Sequence, residues 1–191
     1  MAKKEILLGV TGSIAAYKAC DITNRLRELK YNVTCVMTEE AKYFISPLTL
    51  QHLSGNRVIT EMFAPLDLKR GLTGFALPEN HDPLHTALAD KADLILIAPA
   101  TANIIGKIAN GICDDILSCT ILAAKAPVLI APAMNDKMYK HKSVKENITR
   151  LKSWGYKFIG PEIGRLVCGY REIGHISETE TILKEVKRAL R

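Results

Sequence analysis

Several features that would place a 191-residue chain in a large functional class are missing here. No apolar run approaches the ~18 residues of a membrane span. The N-terminal M-A-K-K-E-I-L-L-G-V has two lysines, but its apolar stretch is short and no small-residue cleavage site follows. It reads as the first strand of a cytoplasmic protein rather than as a leader. The five cysteines (Cys20, Cys35, Cys113, Cys119, Cys168) are odd in number and form no C-x-x-C. That argues against a disulfide framework and against zinc, and no metal is expected. There is no repeat, no low-complexity tract and no clear boundary, so residues 1–191 read as one domain, closed by an amphipathic C-terminal segment that reads as a natural end. The G-x-G-x-x-G fingerprint is absent, since Thr11 stands at its second glycine, and so is the Walker pattern. A dinucleotide and a nucleoside triphosphate are disfavoured; a mononucleotide phosphate is not.

What is present is an ordinary globular composition, 48% hydrophobic, with a formal charge of +6. The basic residues are scattered. Their densest cluster, K-E-V-K-R-A-L-R, is mixed in sign and reads as a solvated helix face, so neither nucleic acid nor membrane is an expected partner. A basic chain of this kind suits anionic small ligands. Short apolar runs at Glu5–Val10, Val33–Met37, Leu94–Ala98 and Val128–Ala131 read as strands buried on both faces. Between the first two, Ala15, Ala19, Ile22, Leu26 and Leu29 make one helical stripe. Further helices are expected over Ile104–Ala109, Asp115–Ala124, Ser143–Ser153 and Glu178–Leu190. Strand alternating with helix predicts an α/β fold with a parallel sheet covered on both faces. Ala64–Pro83 and the glycine-rich Gly160–His175 resist this pattern and read as long loops of functional character.

In open parallel sheets ligands bind beyond the carboxyl ends of the strands, so the strand exits are read together. The first, G-V-T-G-S-I-A-A-Y-K, offers backbone N–H groups and a hydroxyl to an anion, or merely an N-cap at Ser13. The second has Thr38 at its turn. The third, A-P-A-T-A-N-I-I-G-K, combines small residues with Thr101 and Asn103, as either a flat ligand or a plain helix start would require. The fourth, P-A-M-N-D-K-M, is unusual: an amide between two methionines where a turn residue is expected. Four such exits suit a flat cofactor with a phosphate tail, and FMN fits that description.

Together, G-S-I-A-A-Y-K, A-D-L-I-L-I-A-P-A-T-A-N, P-A-M-N-D-K-M and a later Cys-Gly resemble the FMN-dependent cysteine decarboxylase flavoproteins over nearly the whole chain. P-x-M-N-x-x-M is the specific part of the match; the Gly-Ser loop is much less so. The resemblance implies a Rossmann-like or flavodoxin-like three-layer sandwich that assembles as trimers or as four trimers, with FMN near a subunit boundary. It places the phosphate on Gly12, Ser13, Ile14 and Thr38, and the flavin on Thr101, Ala102, Asn103, Ile104 and Ala133. The family's histidine lies eight residues before the aspartate of the Ala92-Asp93 strand motif, which selects His85 over His81. The implied substrate is 4′-phosphopantothenoylcysteine, converted to 4′-phosphopantetheine in coenzyme A biosynthesis. The implied chemistry is oxidation to a thioaldehyde, loss of CO2 and reduction of the resulting enethiolate.

In that scheme His85 is a base or electrostatic partner in the oxidative half, since imidazole titrates near neutrality; the bland alternative is a surface histidine at a helix start. Asn135 gives an N–H to the substrate carboxylate, which must stay ionised to leave as CO2. A lysine would hold the ground state too firmly. Met134 and Met138 either wall the thiol or simply pack. Cys168, between Val167 and Gly169, is the expected proton donor in the reductive half, on a loop that resembles a lid. Arg165 and Arg171 flank it as candidates for an anionic group. The chain departs from the family at Lys91, where tryptophan is common, and after Cys-Gly, where it reads Y-R-E-I-G-H-I. Other readings are a peptidyl-cysteine decarboxylase of the lantibiotic type, which stops at the enethiol and does not need Cys168, and a non-catalytic FMN-binding regulatory subunit. A flavin prenyltransferase would share the Gly-Ser loop but not P-x-M-N.

Overall fold

The computed structural model describes residues 3–63 and 83–191. The expected loop Ala64–Pro83, with His81, lies outside the described residues except for Pro83. Five parallel strands form one sheet in the order β2-β1-β3-β4-β5: β1 (Glu5–Val10), β2 (Asn32–Met37), β3 (Leu94–Ala100), β4 (Val128–Pro132) and β5 (Lys157–Phe158). This is the doubly wound, flavodoxin-like order. All seven residues of β3 are buried, as a central strand covered on both faces must be.

Alternation along β1 divides the core. Ile6, Leu8 and Val10 pack with α1 (Lys18–Glu28), α2 (Pro47–Ser54) and α8 (Thr179–Ala189) on one face. Leu7 packs on the other with α3 (Leu84–Lys91), α4 (Ala102–Ala109), α5 (Ile116–Ala123) and α7 (Lys142–Ser153). The predicted stripe lies where expected: Ala15, Ala19, Ile22 and Leu26 are buried, and Leu29 packs half-buried against the same cluster. Each such fully buried leucine or isoleucine contributes about 1.5–3 kcal/mol.

Helix ends follow local chemistry. Ser46 accepts from Leu48 N–H, Pro47 opens α2, and Gly55 closes it at φ +70°. Asp115 and Ser118 form a reciprocal capping box at α5.

One expectation is corrected. Gly160–His175 is not an aperiodic loop: β6 (Glu162–Arg165) and β7 (Arg171–His175) pair antiparallel, with Cys168 in the turn between them. Its pairing is cross-strand, and Gly160, Gly164 and Gly174 stand where a Cβ would meet a neighbour, so no apolar period marks it. A Cβ on Gly174, at φ +133°, would overlap the carbonyl oxygen of Met134. The hairpin is thereby seated on the exit of β4.

Candidate functional site

A cleft of about 310 Å³ opens at the carboxyl edge of the sheet, large enough to belong among ligand pockets. Its lining includes Gly12, Ser13, Thr38, Thr101, Ala102, Asn103, Ile104, Ala133, Met134 and Met138. The four strand exits therefore converge on one space.

At the first exit, Ser13 is extended and its Oγ accepts from Ala15 N–H at 3.3 Å. Gly12 sits so close to the turn after β2 that a Cβ would overlap the Glu40 Cβ. Thr11, fully buried, stitches the first exit to the third: its Oγ1 donates to Pro99 O at 2.7 Å and accepts from Thr101 N–H at 3.1 Å. At the second exit, Thr38 begins the 3-10 turn Glu39–Tyr43 without capping it. Its Oγ1 is buried and has no hydrogen-bond partner among the described residues. Such a group normally costs about 1–3 kcal/mol, which makes a hydroxyl of this kind at a cleft wall a ready donor to an incoming anion. At the third exit Thr101 caps α4, Ile104 is buried beneath it, and Asn103 is exposed at the rim.

A phosphate-tailed flat cofactor fits this cradle on two counts: the lining residue Thr38 has a buried hydroxyl without a partner among the described residues, and the backbone at Gly12 leaves no room for a side chain. Gly12, Ser13 and Thr38 would hold the phosphate end. Thr101 to Ile104, with Ala133, would border the ring system.

The fourth exit carries the chemistry-bearing side chains. Asn135 caps α6 (Asp136–Lys140), and its Oδ1 accepts from Lys137 N–H at 2.9 Å. That bond turns its Nδ2 towards the hairpin, where it donates to Cys168 Sγ at 3.5 Å and to Tyr170 Oη at 3.2 Å. Tyr170 O–H donates to Asp136 Oδ1 at 2.6 Å. This phenol holds the Asp136 carboxyl below its ordinary range, with Lys140 assisting. Met134 N–H donates to Gly174 O at 3.1 Å, and Lys140 pairs with Glu172 at 2.8 Å, so the hairpin is fastened at several points. Asn135 and Cys168, 33 residues apart in sequence, are thus neighbours.

Not every expected residue joins the cleft: Asn135 and Cys168, though paired with each other, are outside its lining, which takes Met134 and Met138 on either side of Asn135 in sequence. Ile14 is 56% exposed at the start of a 3-10 turn and is outside the lining. His85, half-buried on the first turn of α3, is outside it as well, although α3 packs on α5 and Asp115 at the head of α5 lines the cleft. Arg165 and Arg171 are exposed cross-strand partners beside the Cys168 turn. Two further lining residues, Glu40 and Asp115, carry no signal in their own motifs. Asp115 would be pushed up by burial, but Lys107 at 2.7 Å and the Ser118 N–H outweigh this and hold it low.

The comparisons with known proteins agree with this geometry. The Flavoprotein family model matches residues 1–191. A Streptococcus mutans protein named probable phosphopantothenoylcysteine decarboxylase is 41% identical over 192 residues, covering 98% of this chain and 99% of that one. The Bacillus subtilis coenzyme A biosynthesis bifunctional protein CoaBC is 49% identical over 182 residues, 95% of this chain but 42% of its own length. The chain therefore spans less than half of the bifunctional relatives it matches. Among solved structures, a mutant PPC decarboxylase complexed with pantothenoylaminoethenethiol superposes with a TM-score of 0.81 at 29% identity, covering 98% of both chains. The FMN-dependent cysteine decarboxylase SpaF does so with a TM-score of 0.81 at 28% identity, over 100% of this chain and 99% of that one. The chain belongs to the Flavoprotein family.

Proposed function

We propose that this chain binds FMN in the cleft and decarboxylates 4′-phosphopantothenoylcysteine to 4′-phosphopantetheine, a carboxy-lyase step of coenzyme A biosynthesis in the cytoplasm. The observation that carries this reading is the meeting of the Asn135 amide and the Cys168 thiol at 3.5 Å beside the cleft. One group is suited to a carboxylate and the other to a proton transfer, and Asn135 follows directly on the lining residue Met134. Named relatives acting on this substrate support it.

FMN, when bound, supplies reversible two-electron oxidation and reduction at the carbon bearing the substrate thiol. The protein's own side chains account for the rest. Asn135 Nδ2–H orients the departing carboxylate without neutralising it, and the C–CO2 bond breaks with its electrons moving into the adjacent C=S. Met134 and Met138 border the space with soft apolar surface. Cys168 Sγ–H then delivers a proton to the enethiolate carbon, and the hairpin that carries it screens the site from water.

His85 is assigned to the oxidative half as base or electrostatic partner. Its place outside this chain's own cleft fits a homo-oligomer, a trimer or four trimers, in which the cofactor lies near a subunit boundary. Exposed Tyr43, Phe44 and Leu48 offer apolar surface for such contacts. Light scattering on the purified protein decides between a monomer, a trimer and a dodecamer.

The test of function is a visible spectrum followed by anaerobic incubation with 4′-phosphopantothenoylcysteine and mass analysis of the product. A yellow protein yielding 4′-phosphopantetheine is the expected result. Enethiol alone would favour peptidyl-cysteine chemistry of the SpaF kind; a yellow protein without turnover would favour a regulatory flavoprotein.

A further inference from the structure

The hairpin turn contains a second functional side chain that the reaction scheme does not use. Tyr170 follows Cys168 by two residues. Its phenol is both acceptor and donor in one directed chain. Asn135 Nδ2–H gives to Tyr170 Oη, and Tyr170 O–H gives to the Asp136 carboxylate. The direction is fixed at both ends. Asn135 Oδ1 is committed to Lys137 N–H, so only its nitrogen can face the hairpin. Asp136 is buried, with a carboxylate that only accepts, so the phenol proton must point to it.

Resting on the function proposed above, we propose that Tyr170 is a positioning residue for the reductive half. Its bond to Asp136 latches the exposed Cys168 turn to the head of α6, and its lone pair presets the Asn135 amide. When a substrate carboxylate takes the Asn135 N–H, the Tyr170–Asp136 bond remains, so Cys168 keeps its place beside the amide while the amide changes partner. The other fastenings, Lys140–Glu172 and Met134–Gly174, hold the strands of the hairpin; Tyr170 joins the amide, which also donates to Cys168 Sγ, to the Asp136 carboxylate.

The test is Tyr170→Phe, which keeps the ring and removes the hydroxyl, with Asp136→Asn as a second variant. The FMN-loaded protein is placed in D2O and hydrogen exchange of the peptide spanning the turn, whose backbone bonds are Gly169 N–H to Leu166 O and Leu166 N–H to Tyr170 O, is followed by mass. Loss of one charge-assisted hydrogen bond should raise the exchange rate about fivefold to tenfold in either variant, and the double variant should add little. In turnover, Tyr170→Phe should raise the ratio of enethiol to saturated product while CO2 release changes less. Exchange rates within twofold of the unmodified protein in both variants would overturn the latch. Faster exchange with an unchanged product ratio would overturn the positioning role. If the unmodified protein does not turn over 4′-phosphopantothenoylcysteine, the substrate assignment fails, and the exchange rates still decide the latch.

Discussion

Replacing Thr38 by valine should stabilise the protein without cofactor and weaken it towards FMN. Thr38 Oγ1 is buried and unpartnered, and the side chain contributes no cap to the turn it begins. The backbone N–H is already satisfied by Val10 O at 3.1 Å, and φ −72°, ψ 161° suits a β-branched residue. Valine therefore keeps the shape and removes only an unpaired hydroxyl, recovering about 1 kcal/mol of desolvation cost. For a chain of this size that is a rise of about 2–4 °C in Tm. If the hydroxyl instead donates to the FMN phosphate, a hydrogen bond to a charged acceptor is lost. That is worth about 1.5–3 kcal/mol, or roughly a tenfold to hundredfold weaker Kd. The assay is thermal melting of deflavinated protein together with fluorescence titration by FMN and by riboflavin, which lacks the phosphate. Riboflavin affinity should be unchanged. A lower Tm without flavin would show that the hydroxyl is paired after all. Equal losses for FMN and riboflavin would remove Thr38 from the phosphate.

Asn135→Asp should abolish product formation while sparing FMN binding, read by product mass and flavin absorbance, because it sets a carboxylate against the substrate's own. Cys168→Ser should release CO2 but stall at the enethiol, and saturated product at the normal rate would remove Cys168 as the acid. Asp115→Ala should cost about 1 kcal/mol through loss of the capping box. Because Lys107 and Ser118 hold the Asp115 carboxyl below its ordinary range, its contribution is full above about pH 4 and is lost as pH falls through the lowered value. The Tm gap between Asp115→Ala and the unmodified protein should therefore narrow towards pH 3, and a gap independent of pH would refute the assignment.

The parts of this molecule that are legible in sequence are those whose cause is local. β1 to β4 are apolar runs because both faces are covered, and the α1 stripe is periodic because one face is. The hairpin β6–β7 escapes, since its strands owe their pairing to each other and to the β4 exit; a positive φ and the overlap a Cβ would make with Met134 O, neither visible in sequence, explain Gly174. β5, at two residues, is too short to carry a period. Thr11 looks like a failed dinucleotide motif, yet it is the buried peg between two exits. Asp115 reads as a helix cap, which it is, and nothing local says that the cap faces a cleft. His85 and Ile14 follow from resemblance alone, and this chain's own cleft includes neither.

The amide at the end of β4 can now be accounted for by its two ends. The helix α6 needs a side-chain acceptor at its N-cap, a need met by aspartate, asparagine, serine or threonine. The proposed chemistry needs a neutral N–H donor on the opposite side, aimed at Cys168 and at whatever lies between. Aspartate would cap but cannot donate. Serine and threonine would cap with an oxygen whose single proton is too close to the backbone to reach the hairpin. Lysine would donate but cannot cap, and would bring a charge. Of these candidates asparagine has the acceptor and the donor on one planar group, so fixing the oxygen to Lys137 N–H fixes the nitrogen as well. The methionines at 134 and 138 then follow. A planar polar group held this rigidly needs neighbours that fill space without competing for its N–H, and thioethers are weak acceptors with adaptable shape.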